Sequence, residues 1–162
     1  MKDFPITTDL YSEKTASQQP ALDLLQSMGY TYISPQDCEA QRGSRYHVLL
    51  KDILRGQLRR LNRYTFAGAE NEFSAANIER AMDDLDVPLT DGLVRASEKI
   101  YDALLLSKSY PETVGEGKNL SFNLRYIDRE HPENNLFHVT EGFAVDSRDK
   151  LHDARPDLVL FI

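Results

Sequence analysis

The chain has 162 residues and a mass of 18.5 kDa, the scale of one ordinary domain. With 41% hydrophobic residues it can build a sizeable core, while 28% charged residues and a net charge of −7 argue against a membrane-spanning chain and against DNA binding by the surface as a whole. A single cysteine, Cys38, excludes an internal disulfide framework and a cysteine-rich zinc module.

Met1 to Leu10 lacks both the basic start and the apolar run of a secretory signal, so a cytoplasmic location is expected. Ala21, Leu24, Leu25 and Met28 recur at helical spacing after Pro20 and before Gly29, which predicts an amphipathic helix. A turn of helix is allowed over 12–19. Tyr30 to Ile33 reads as a short strand ended by Ser34-Pro35. Residues 48–62 form the next helix, with Leu50, Ile53, Leu54, Leu58 and Leu61 on its apolar face. Ser74 caps a further helix with Ile78, Ala81, Met82 and Leu85 inward, ended by Val87-Pro88. Val94, Ser97, Tyr101 and Leu104 mark a third helix running to about Lys108, stopped by Tyr110-Pro111.

After the Gly115-Glu116-Gly117 turn the period changes from helical to two. Leu120, Phe122, Leu124 and Tyr126 alternate with polar residues, as in a half-buried strand. His131 to Asn135 is a turn cluster, and Leu136 to Val145 a second strand that would complete a hairpin with the first. A polar loop over 147–153 leads to Leu158–Ile162, an apolar run with the pattern of a strand buried on both faces. Helices come first and a mixed sheet last, an α/β chain in α+β order, expected as one domain over 1–162. Ending on that apolar strand, these residues are expected to be the N-terminal piece of a domain in a longer chain.

Charge is unevenly spread. Residues 41–64 hold seven basic side chains against one acidic. Within this block Lys51, Arg55 and Arg59 share one helical stripe, which suits either a solvated face or a contact with DNA or another subunit. No histidine pair has zinc-ligand spacing, and neither a Gly-x-Ser-x-Gly elbow nor a phosphate-cradling Gly-x-x-x-x-Gly-Lys-Ser/Thr loop occurs. Cys38 lacks the setting of a catalytic thiol.

The chemistry concentrates at Arg155-Pro156-Asp157, directly before the apolar strand. A carboxylate at the mouth of a strand can hold Mg²⁺, a hard cation that prefers oxygen ligands, against a scissile phosphate. Ahead of it come Ile127-Asp128, the turn His131-Pro132-Glu133-Asn134-Asn135 and a strand carrying Phe-x-Val. Towards the front lie Ser12-Glu13, a helix ending in Leu-x-x-Met-Gly-Tyr and the basic helix ending in Leu61-Asn62.

In this order the motifs resemble the N-terminal nuclease domain of the R subunit of type I restriction enzymes, with His131 standing where the family has Asn. The resemblance implies a restriction-endonuclease-like core of the PD-(D/E)xK type. It implies Asp157 as the first Mg²⁺-binding, catalytic carboxylate and Glu13 as a possible accessory one. It further implies DNA as substrate, modification (M) and specificity (S) subunits as partners, and ATP used by a motor elsewhere in the R subunit. The Glu-x-Lys that completes the motif on a following strand does not occur in residues 158–162, so these residues alone are expected to be inactive. The alternative is a non-catalytic module that guides DNA or docks a subunit through Lys51, Arg55 and Arg59.

Overall fold

The structure, a computed structural model, describes residues 17–88, 92–146 and 153–162. In chain order its elements are helix α1 (Gln19–Ser27), strand β1 (Thr31–Tyr32) and helices α2 (Pro35–Arg42) and α3 (Lys51–Leu61). Strands β2 (Arg63–Phe66) and β3 (Ala69–Glu72) follow, then helices α4 (Ala75–Asp83) and α5 (Leu93–Leu106). The remaining strands are β4 (Lys108–Val114), β5 (Lys118–Leu124), β6 (His138–Glu141), β7 (Val145–Asp146), β8 (Asp153–Ala154) and β9 (Leu158–Phe161). This is the α+β class expected from the pattern. The chain divides into two compact units, Met1–Val48 with Leu136–Ile162, and Leu49–Asn135.

The first unit is built on a three-stranded mixed sheet in the order β1-β6-β9, parallel between β1 and β6 and antiparallel between β6 and β9. Val139, at the centre of β6, is fully buried, as is Thr140 beside it. Alternation along β6 puts His138 and Thr140 on one face, and Cys38 of α2 hydrogen-bonds to Thr140 there. Burial raises the Cys38 thiol's pKa, so it packs as a small hydrophobe. Arg42, at the end of the same helix, is buried with its guanidinium 4.1 Å from the centre of the Phe143 ring.

In the second unit α3 and α4 pack on the β4–β5 hairpin. Leu58, Ile78, Ala81, Met82, Tyr110 and Leu124 form its core, each large side chain contributing roughly 1.5–3 kcal/mol by burial. The apolar faces expected for α3 and α4 are the ones that pack. Polar groups inside are matched. The Tyr110 hydroxyl donates to Asp84 at 2.6 Å and lies 2.9 Å from that of Tyr126, which donates to the Ala81 carbonyl. The buried Glu112 carboxylate accepts from the Ser74 amide and hydroxyl and from Asn77, closing the first turn of α4.

Several expectations are corrected. Residues 120–126 do not form a hairpin with 136–145. Lys118–Leu124 pairs instead with Lys108–Val114, across a turn in which Glu116 and Gly117 both have left-handed φ. Seven registered residue pairs across a three-residue turn outcompete a partner beyond a longer loop. Pro111, read as a helix stop, sits within β4, where a two-stranded hairpin tolerates its missing N–H. The third helix ends at Leu106 and packs through Ala96, Ile100, Ala103 and Leu104, leaving Val94 and Tyr101 more than 60% exposed. Similarly, α1 is covered along Ala21, Leu22 and Leu25, with Leu24 and Met28 exposed. The last apolar run is not buried on both faces: β9 pairs with β6 alone among the described residues, and Leu160 is 49% exposed.

Helix α2 and the β2–β3 hairpin had no counterpart in the sequence reading. The helix is almost wholly polar, but its start carries a full signal: Ser34 accepts from the Asp37 amide and Pro35 opens the first turn. The hairpin turns on Ala67 and Gly68, both at positive φ, and places Tyr64 in a stack with Phe122 at 4.2 Å between ring centres.

Candidate functional site

Asp157 immediately precedes β9, and its carbonyl accepts from the Gly142 amide at 3.2 Å, so the β6–β9 ladder continues to the aspartate's backbone. Antiparallel register sets Glu141, the last residue of β6, opposite Leu158. Both residues therefore come to the same end of the sheet. They line one cavity of about 290 Å³, together with Gln18, Pro35, Gly142, Arg155 and Pro156. Pro35 begins α2 and Gln18 lies in the helical turn that runs into α1, so both helices reach the sheet end there. The amide nitrogen of Gln18 donates to Asp157 Oδ1 at 3.0 Å, and the Tyr32 hydroxyl lies 3.5 Å from Glu141 Oε1.

The model of the type I restriction enzyme R protein N terminus matches residues 10–162. The chain belongs to this family. Comparison with curated proteins and with solved structures gave no match. The match covers nearly the whole chain, the front helices as well as the Arg155-Pro156-Asp157 end.

The family implies a divalent metal, and the groups around Asp157 fit one. Asp157, Glu141 and Gln18 line the cavity beside Arg155, with no sulfur or imidazole among its lining side chains, so its carboxylate and amide oxygens are donors of the kind a hard cation takes. Among the described residues no three His, Cys, Asp or Glu side chains cluster closely enough to hold a metal by themselves. Glu13 lies outside the described residues. Glu116-Gly117-Lys118 spells Glu-x-Lys but occupies the turn between β4 and β5, where Lys118 Nζ lies 3.6 Å from Glu116.

Two of the motifs ahead of Asp157, Ile127-Asp128 and the His131–Asn135 turn, are architecture in the second unit. The Asp128 carboxylate, 1% exposed, accepts from Asn134 Nδ2 at 3.0 Å and from the His131 amide at 3.1 Å, with Arg125 3.2 Å away. Asn135 completes the loop in the other direction: its Oδ1 accepts from the Asp128 amide and its Nδ2 donates to the Asp128 and Pro132 carbonyls. His131 joins through its main chain, a role that does not depend on its side chain. The Asn134 hydrogen bond, helped by the His131 amide and Arg125, holds the Asp128 carboxyl below the usual carboxylate range against the opposing effect of burial. A lowered native pKa means stability that is complete above the unfolded value of about 4 and is lost as pH falls through the native value. Asp128→Asn should therefore lower the urea midpoint at pH 7 and flatten its decline below about pH 4; an unchanged acid profile would refute this role.

The basic block is largely absorbed by its own neighbours. Arg42 is buried, and Arg45 pairs with Glu39. Arg55 bonds Glu79 of α4 at 2.5 Å and Asp52 at 2.6 Å, which raises its own pKa and lowers that of Glu79. Arg60 donates to the Asn134 carbonyl, and Arg63 to Glu72. Of the predicted stripe, Lys51 and Arg59 remain exposed on α3, while Arg55 ties α3 to α4.

Two residues of the site escaped sequence reasoning. Glu141 could have been flagged as the last residue of a strand adjoining the one after Asp157, had the β6–β9 pairing been foreseen. Gln18 carries no signal in sequence, because its link to Asp157 spans 139 positions.

Proposed function

We propose that this chain supplies the Asp157 half of a Mg²⁺-dependent DNA endonuclease site in a type I restriction R subunit. The observation that carries the reading is that Asp157 and Glu141 line one cavity at the sheet end, in a chain of this family. Asp157 holds the metal and Glu141 offers a second carboxylate to it; Glu13 is an accessory candidate. When bound, the ion would polarise the scissile phosphate and lower the pKa of an attacking water. Arg155, at the same cavity, brings positive charge to the DNA backbone. Among the described residues no Glu-x-Lys lines this cavity.

In this reading cleavage follows ATP-driven translocation by another part of the R subunit, and the DNA sequence is chosen by partner subunits, M and S, in the cytoplasm. No described helix is long and apolar enough to cross a membrane. The test uses the native R chain assembled with its M and S subunits on plasmid DNA, with ATP and Mg²⁺. Glu141→Gln should slow cutting by about 10- to 100-fold while leaving DNA-dependent ATP hydrolysis intact. Cutting at the full rate would remove Glu141 from the site.

A second reading rests on the exposure of Lys51 and Arg59 on α3: a module that guides DNA or docks a subunit without cutting. It requires that the assembled complex cleave DNA equally well with Asp157 replaced.

A further inference from the structure

The backbone of Asp157 is fixed on both sides. Its carbonyl is bonded to Gly142, and the next residue, Leu158, is registered against Glu141. Neither contact fixes the torsions of the side chain, on which the direction of a metal-binding carboxylate depends. Among the described residues, Gln18 is the hydrogen-bond partner that sets them. A carboxylate only accepts, so the nitrogen end of the Gln18 amide must face it.

Local sequence explains why Gln18 is available. It lies in the helical turn that runs into α1, and its side chain makes no capping bond. Its backbone is already helical, with φ −68° and ψ −46°, and Pro20 in the first turn stiffens the segment while removing one N–H that a cap would have to satisfy. The side chain is thereby free of backbone bonding and carried at a defined place on a helical turn. It lines the cavity and is only half-buried, so replacing it does not hollow out a core.

We propose that Gln18 is a positioning residue: its amide N–H engages Asp157 Oδ1 and thereby directs Oδ2 toward a divalent cation. The carboxylate is then presented to the ion in one orientation, and no further ordering of the side chain accompanies binding. The neutral amide achieves this without adding a positive charge that would compete with the ion. The inference rests on Asp157 being the metal ligand, and its test separates the two claims.

The probe is Mn²⁺ alone, titrated by calorimetry into the native R chain without DNA. Four forms are compared: the native protein, Asp157→Ala, Gln18→Met and Gln19→Met. Methionine keeps the reach of glutamine and lacks its N–H. Gln19 bonds Asp23 within α1 and serves as the control for a change in helix stability. Asp157→Ala should abolish one binding event, Gln18→Met should weaken that event about tenfold, and Gln19→Met should leave it unchanged. In Mg²⁺-dependent cleavage by the assembled complex, Gln18→Met should raise the half-saturating Mg²⁺ more than it lowers the saturated rate. If Asp157→Ala abolishes the event and Gln18→Met binds as the native protein does, the positioning role is overturned and Asp157 stands. Equal weakening by Gln18→Met and Gln19→Met would also overturn it, since the effect would then come from α1 as a whole. Unaltered binding by Asp157→Ala overturns the metal assignment and the inference with it.

Discussion

Asp157→Ala is expected to reduce Mg²⁺-dependent DNA cleavage by the assembled restriction complex by at least about 10³-fold. A metal ion that stabilises developing charge lowers the barrier by several kcal/mol, and each 1.36 kcal/mol is worth a factor of ten. Asp157 lies at the mouth of β9, where it contributes a charge to the site and little to the core, so the variant should fold normally. ATP hydrolysis and translocation, assigned here to another part of the R subunit, should continue. That separation of motor from nuclease is what distinguishes a lost ligand from a lost fold. Plasmid linearisation and ATP consumption, followed in the same reaction, measure both. A variant that cuts at the native rate would leave the docking reading in place.

The second large effect is on stability. Asn62 follows α3 and is buried, and its side-chain amide behaves like a short piece of strand. Nδ2 donates to the Arg125 carbonyl at 2.9 Å and to the Leu58 carbonyl at 2.8 Å, and Oδ1 accepts from the Arg125 amide at 2.8 Å. Asn62→Ala removes three hydrogen bonds and leaves the peptide groups around Arg125 without partners in a region water reaches poorly. At about 1 kcal/mol for each bond, with the larger penalty for buried unsatisfied groups, the loss should be about 3 kcal/mol. Equilibrium urea unfolding checks it. A loss below about 1 kcal/mol would mean that water replaces the amide. The Leu61-Asn62 pair that helped to mark the family thus has a structural duty: one residue seals the core and the next stitches the helix end to the strand region.

Helix α3 and helix α4 were legible because their apolar faces are continuous and each packs along its whole stripe. Helix α5 was legible as a helix but not in its orientation. Periodicity reports where apolar residues align, and Ala96 and Ile100 pack while Val94 and Tyr101 do not. Helix α2 was missed for the opposite reason, since a polar helix held by Ser34, Pro35 and a C-terminal Gly43 at positive φ shows itself by its ends and not by its face. Strand pairing was the least legible, because alternation in residues 120–126 is equally compatible with a partner before or after it, and turn geometry decides. A Pro-Asp pair before an apolar run is by itself a weak signal, and within the candidate site Asp157 is proposed from its place in the ordered family motifs. Glu141 and Gln18 reach it through pairing and helix placement across long stretches of chain. The basic stripe illustrates the converse, a strong sequence pattern of which Arg55 is committed to Glu79 and Asp52.

The central claim is that Asp157 ligates a divalent cation at the end of the β6–β9 sheet. Crystals of the native R chain soaked in Mn²⁺ and measured at the manganese absorption edge would test it directly. The account predicts an anomalous peak in the cavity shared by Asp157, Glu141 and Gln18, within about 2.0–2.3 Å of an Asp157 carboxylate oxygen. An ordered, ion-free cavity at saturating Mn²⁺, or a peak held by other residues with Asp157 still turned to Gln18 alone, would contradict it.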